Sequence, residues 1–208
     1  MDYTKQIDEA IKGTAQKVEI GKVTVLTGKN GSGKSMLRKI LASYIADKLG
    51  KDDIKGVVSG VSMESRTQRK FDFGALNSMG IDDPTNPTSS ETLHNIDSLV
   101  RSVSEKQPRY LVIDEPEIGM GEEMVAALVI KLNDMFNPLP IGCNGVLLIT
   151  HNRYIVENVK GEFLNMEGQT REEWLNRKII PVDIEKFKEE SLELYRAINN
   201  YKKDKTNE

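Results

Sequence analysis

Cysteine is nearly absent: Cys143 is the one residue of its kind among 208. That excludes an internal disulfide and a CxxC metal knuckle. Aromatic residues make up 6% of the chain and do not interleave with the basic ones, so a nucleic-acid stacking platform is not expected. No apolar run approaches the ~20 residues that a membrane helix needs. The first residues, MDYTKQIDEA, carry no apolar stretch of the kind a secretory signal has. Neither sign of charge dominates. Twenty-nine Lys and Arg stand against 32 Asp and Glu, a net charge of −3, which argues against a constitutive charge-driven hold on nucleic acid. Internal repeats, low-complexity tracts and heptad runs long enough for a coiled-coil arm are all missing. What remains is a folded chain, 38% hydrophobic and 29% charged, expected in a reducing, cytoplasmic setting.

What is present is concentrated in three places. Residues 18–27, VEIGKVTVLT, are rich in β-branched types and read as a strand or hairpin. Gly28-Lys29-Asn30-Gly31-Ser32-Gly33-Lys34-Ser35 follows and fits GxxxxGK[ST]. Met36, Leu37, Ile40, Leu41, Tyr44, Ile45 and Leu49 then recur at helical spacing, with Gly50 as the stop. A strand, a Gly-rich loop and a helix in that order form a phosphate cradle. Gly28, Gly31 and Gly33 free the backbone so that loop N–H groups and the helix N-terminus converge on phosphate oxygens. Lys34 neutralises the β- and γ-phosphates, and the Ser35 hydroxyl holds Mg²⁺.

The second place is the apolar run Tyr110-Leu111-Val112-Ile113, which ends at Asp114-Glu115. A buried strand brings both carboxylates to its C-terminal end, the edge where open α/β sheets take ligands. Asp114 is the second candidate for Mg²⁺, and Glu115 the base that polarises an attacking water. The third is Leu147-Leu148-Ile149-Thr150-His151, another buried strand, whose His151 is placed to sense the γ-phosphate.

GKNGSGKS, VIDEPEIGMG and LITHN, in that order, resemble the ATP-binding-cassette ATPase superfamily. The resemblance implies an α/β P-loop NTPase fold: a sheet flanked by helices, with a small helical lobe inserted. It implies ATP and Mg²⁺ as ligands and hydrolysis of ATP to ADP and phosphate. It also implies a head-to-tail pair of chains around two ATPs, each ATP touched in trans by a signature segment that usually reads LSGG. Thr88-Ser89-Ser90-Glu91 occupies that place, with Ser90 standing 24 positions before Asp114. The Gly pair is missing. Ser89 and Ser90 still offer hydroxyl and N–H groups to an anion, or else cap the helix that follows. Gly119-Met120-Gly121 corresponds to the dimer-contact loop. The Mg²⁺-contacting glutamine loop falls on Gln68 or on Ser62-Met63-Glu64, and the adenine-stacking aromatic on Tyr3.

DEPEIG is similar to the non-transporter branch of the superfamily. The whole chain resembles small stand-alone AAA-type ATPases of bacteria and phages, down to Glu173-Trp174-Leu175-Asn176-Arg177 with Pro181. On this reading, residues 1–165 form the ATPase core, interrupted by a lobe at about 51–108, and 166–208 form a helical tail. The output falls on a partner protein or on DNA, in repair, recombination or phage–host conflict. Basic candidates for a DNA contact are Arg66, Arg69, Lys70, Lys202, Lys203 and Lys205. Two other classes stay open. A phosphotransferase shares the phosphate loop, but the Asp-Glu pair and the later Thr-His speak for water as acceptor. An ATP-gated regulatory subunit has no need of a complete Asp114-Glu115 pair.

Overall fold

The computed structural model describes residues 3–29, 32, 34–51, 57–61, 88–179, 181 and 184. Helix α1 (Tyr3–Lys17) precedes β1 (Val23–Thr27), α2 (Lys34–Lys48) and β2 (Val58–Val61). Helix α3 (Thr88–Arg101), β3 (Arg109–Asp114), α4 (Glu122–Phe136) and β4 (Cys143–Ile149) follow. The short α5 (Arg153–Asn158), β5 (Glu162–Asn165) and α6 (Arg171–Asn176) complete the described elements. The strands make one sheet in the order β2-β3-β4-β1-β5, and every pairing is parallel.

A parallel sheet covered on both faces needs strands that are apolar throughout, because successive side chains point to opposite sides. That is what β3 and β4 supply. Leu111, Ile113, Val146 and Leu148 face Ile96 and Leu99 of α3 and Val125, Leu128 and Leu132 of α4. Tyr110, Val112, Leu147 and Ile149 face Ile11 and Ala15 of α1 and Leu37, Leu41 and Ile45 of α2. The result is three layers, helices on either side of a sheet, as the sequence leads one to expect. Gly145 in β4 is required by this packing: its φ is +139°, and a Cβ there would meet the Tyr110 ring at 2.5 Å.

Several elements differ from the sequence reading. The hairpin option for residues 18–27 is replaced by a turn and the single strand β1. The helices α1 and α5 had no counterpart in that reading, and α6 lies within the stretch read as a helical tail. Both ends of the stretch read as a lobe also join the sheet assembly. Val58–Val61 is the edge strand beside β3, and Ile96 and Leu99 are core residues. Residues 62–87, with Gln68 and Arg66, lie outside the described residues, as do the tail beyond 184 and its lysines. Among the described residues, no helix is long and apolar enough to cross a membrane.

Candidate functional site

Because all five strands run the same way, their C-terminal ends share one edge. The register aligns Leu26 of β1 with Ile149 of β4, and Ile149 with Asp114 of β3. Each strand hands over to its loop at the same level. The Thr150 N–H donates to Leu26 O at 3.0 Å, and the Glu115 N–H donates to Ile149 O at 2.8 Å. On the other flank the Met166 N–H donates to Thr27 O at 3.0 Å. Strand β4 thus sits between the phosphate loop and the acidic strand end. His151 follows β4 and so stands at this edge beside Glu115.

The phosphate loop leaves β1 at Gly28. A Cβ at this position would lie 2.6 Å from Ser32 Oγ and 2.8 Å from Met166 Cγ, so the close approach of the loop to Met166, just after β5, favours glycine. Lys34, the first residue of α2, is buried. Its Nζ turns back over the loop and donates to Gly28 O at 3.1 Å and Lys29 O at 2.8 Å. Burial pushes its ammonium below the ordinary lysine value, against the pull of Glu115, Glu167 and Asp114. The Lys29 N–H is held by Glu167 Oε1 at 2.9 Å. Ser32 Oγ is buried and has no hydrogen-bond partner among the described residues. A buried hydroxyl without a partner and a buried ammonium on the same loop fit a phosphate group. Asn30, Gly31 and Gly33 lie outside the described residues. So does the Ser35 side chain, and with it half of the expected Mg²⁺ pair.

Glu115 adopts φ +49°, a left-handed conformation that side chains other than Gly seldom take. Such backbone costs of the order of 1–3 kcal/mol and persists only where surrounding contacts impose it. The Glu115 N–H bond to Ile149 is one such contact. It aims the Glu115 carboxylate along the sheet edge, where its Oε1 stands 3.4 Å from His151 Nε2. Both side chains are about one-third exposed. Burial, and then the nearby Lys34 charge, hold His151 below its ordinary value against the pull of Glu115. The shift favours the neutral imidazole, which donates at one ring nitrogen and accepts at the other.

Glu117 was not singled out by the sequence reading. Its Oε1 accepts from Thr150 Oγ1 at 2.6 Å and from the His151 N–H at 3.1 Å. Thr150 Oγ1 in turn accepts from the Asn152 N–H at 3.0 Å, and Asn152 caps α5 through a bond to the Ile155 N–H. No sequence pattern announces this role. Only the alternation of carboxylates around the buried Pro116 hints at it.

The remaining expected residues are less tightly tied to the site. Helix α3 begins at Thr88, so Ser89 and Ser90 lie within its first turn rather than ahead of it as caps. Their side chains, like that of Tyr3, are outside the described residues. Gly119, at φ +79°, closes the turn after Glu117. Among the described residues no cluster of three or more His, Cys, Asp or Glu could hold a metal by itself.

No protein-family model matches the chain. A probable metal transport system ATP-binding protein of Thermotoga maritima is 27% identical over 171 residues, which span 69% of each protein. Among solved structures, a chain of the HORMA:CdnC:Trip13 complex of E. coli MS115-1 aligns with a TM-score of 0.38 at 13% identity. It covers 78% of this chain and 56% of its own. The ORC2 protein of Aeropyrum pernix, in ADPNP-ADP complexes, aligns with a TM-score of 0.36 at 14% identity. There the shares are 77% and 46%. The chain thus spans about half the length of these two solved chains. The phosphate loop on a parallel α/β sheet is a P-loop NTPase fold, and the similarity to an ATP-binding protein supports a P-loop ATPase.

Proposed function

We propose that this chain is an ATP-hydrolysing molecular switch. The observation that carries the reading is the convergence, at one sheet edge, of buried Lys34, the strained Glu115 and His151. The loop N–H groups and Lys34 bind the β- and γ-phosphates, and Lys34 exchanges its loop carbonyls for phosphate oxygens. Ser35 and Asp114 are the residues that hold Mg²⁺, which when bound supplies charge neutralisation at the phosphates. Glu115 accepts a proton from the attacking water. His151 donates to the γ-phosphate oxygen and so distinguishes ATP from ADP.

Two chains pair head to tail around two ATPs, with Ser89 and Ser90 of each reaching the other's γ-phosphate. Hydrolysis removes that phosphate and releases the pair. The output is a partner protein or DNA, in repair, recombination or phage–host conflict. The motif resemblance to small stand-alone ATPases supports this part. A second reading, an ATP-binding subunit of a transport system, is favoured by the name of the Thermotoga maritima relative.

The test is the solution mass of Glu115→Gln by light scattering, with and without Mg²⁺-ATP, beside phosphate release by the wild type. A shift from one chain to two on adding ATP, with measurable wild-type hydrolysis, supports the switch. A mass fixed at one chain removes the trans role of Ser89 and Ser90. Phosphate transfer that requires an added acceptor converts the enzyme to a phosphotransferase.

A further inference from the structure

Glu115 and Glu117 flank Pro116 and grip the same residue from two sides. Glu115 Oε1 faces the ring of His151 at 3.4 Å, and Glu117 Oε1 accepts from the backbone N–H of His151 at 3.1 Å. The stronger bond, from Thr150 Oγ1 at 2.6 Å, fastens the residue just before it. The Asn152 N–H donates to that same hydroxyl at 3.0 Å, so three consecutive residues of the β4–α5 loop depend on one carboxylate oxygen. Glu117 Oε2 is shut off from solvent and has no partner among the described residues. The carboxylate is thus committed to the loop rather than to water. Removing it leaves the Thr150 hydroxyl and the His151 N–H without their acceptor, and a loop segment held by few bonds opens readily.

We infer that Glu117 is a positioning residue, which holds the His151 backbone so that the ring keeps its distance from the Glu115 carboxylate. The inference rests on the reading of Glu115 as the base for ATP hydrolysis. Glu117 need not touch nucleotide. It acts by accepting hydrogen bonds, so an acceptor of the same length replaces it and a methyl group does not.

The experiment uses the full chain in four variants: E117A, E117Q, T150V and T150S. The first readout is hydrogen exchange of the His151 backbone N–H by NMR, which needs no catalysis. The others are kcat, the ATP Kd from fluorescent-nucleotide titration, and the thermal midpoint. E117A is expected to speed His151 N–H exchange by about tenfold or more and to lower kcat by about tenfold or more, with Kd within about threefold of wild type. E117Q keeps the acceptor oxygen and restores both quantities to within about threefold. T150V follows E117A in direction, T150S follows the wild type, and this pair decides the matter should E117A fail to fold.

Unchanged exchange and kcat in E117A overturn the inference. Equal damage in E117Q and E117A overturns it too, because Glu117 then acts through its charge or proton. A fall of Kd affinity and thermal midpoint in step with kcat assigns Glu117 a structural role only. Failure of the underlying reading has a different signature. If E115Q hydrolyses ATP like the wild type, the role of Glu115 falls, while the exchange measurement still reports whether Glu117 holds His151.

Discussion

His151 Nε2 stands 3.4 Å from Glu115 Oε1, across the boundary between two adjacent strands. Both residues are the products of strand register: Asp114 pairs with Ile149, so the next turn of each loop brings carboxylate and imidazole level. In the proposed function His151 senses the γ-phosphate and Glu115 is the base that activates water. Glu115→Gln keeps the shape of the side chain and removes its basicity. Phosphate release should fall by about 10²–10⁴-fold while ATP affinity changes little. Steady-state kinetics with a parallel binding titration check this, and a hydrolysis rate within about twofold of the wild type would sink the assignment.

His151 also sets a pH dependence of stability. Burial and the Lys34 charge depress its folded value below 6.5. The unfolded chain therefore takes up a proton at higher pH than the folded one. The stability tied to this group is fully present above about pH 6.5 and is lost as pH falls through it toward the folded value. H151Q has no such proton to gain. Thermal melts of both proteins from about pH 7.5 down to pH 5.5 should converge as the solution becomes acidic. Parallel curves would show that His151 does not titrate differently on folding.

Gly28→Ala places a methyl group 2.6 Å from Ser32 Oγ and 2.8 Å from Met166 Cγ. The Ser32 hydroxyl can rotate away, but Met166 Cβ, at 2.9 Å, cannot retreat without moving the backbone just after β5. Overpacking of this kind costs about 1–3 kcal/mol, and a displaced loop misaligns the N–H groups meant for phosphate. Fluorescent-nucleotide binding should weaken by about tenfold or more, with a lower thermal midpoint. Wild-type affinity in G28A would mean that the loop does not bind phosphate in this conformation.

Two of the contacts that hold helix α4 to the rest of the molecule are unlike in kind, and magnitude decides between them. Lys131 Nζ meets Asp97 Oδ2 of α3 at 2.7 Å, but both side chains are about one-third exposed. Such pairs contribute about 0–1 kcal/mol. Leu128, one turn earlier, is fully buried against the sheet. L128A should cost about 2–5 kcal/mol and K131M less than about 1 kcal/mol. Urea unfolding midpoints distinguish the two, and a K131M loss as large as that of L128A would overturn the ranking.

Much of the site was legible because its chemistry is local. A phosphate loop between strand and helix, two acids after an apolar strand and a Thr-His after another each occupy a few consecutive residues. Strand order was not legible, since it depends on pairings between residues far apart in sequence such as Val23 and Val146. Helix α1 was missed for a different reason. Of its described side chains Ile11, Thr14 and Ala15 are buried, and only the first of these is a large apolar residue that would draw the eye in a sequence. The edge strand β2 is four residues with a glycine among them, too short for alternation to stand out. Glu117 looks from sequence like one more acid in a turn. Its partner Thr150 lies 33 positions away, and only the fold reveals the bond.

The parallel register has a mechanical consequence. Sliding β4 by one residue against β1 and β3 would carry His151 about 3.3 Å along the edge and turn every β4 side chain to the opposite face. Val146 and Leu148 would trade helical neighbours with Leu147 and Ile149. The sheet is therefore a ruler with fixed graduations: it offers the site no intermediate settings. Fine adjustment between Lys34, Glu115 and His151 must come from the loops that leave the strands, which are the segments that nucleotide and partner can reach.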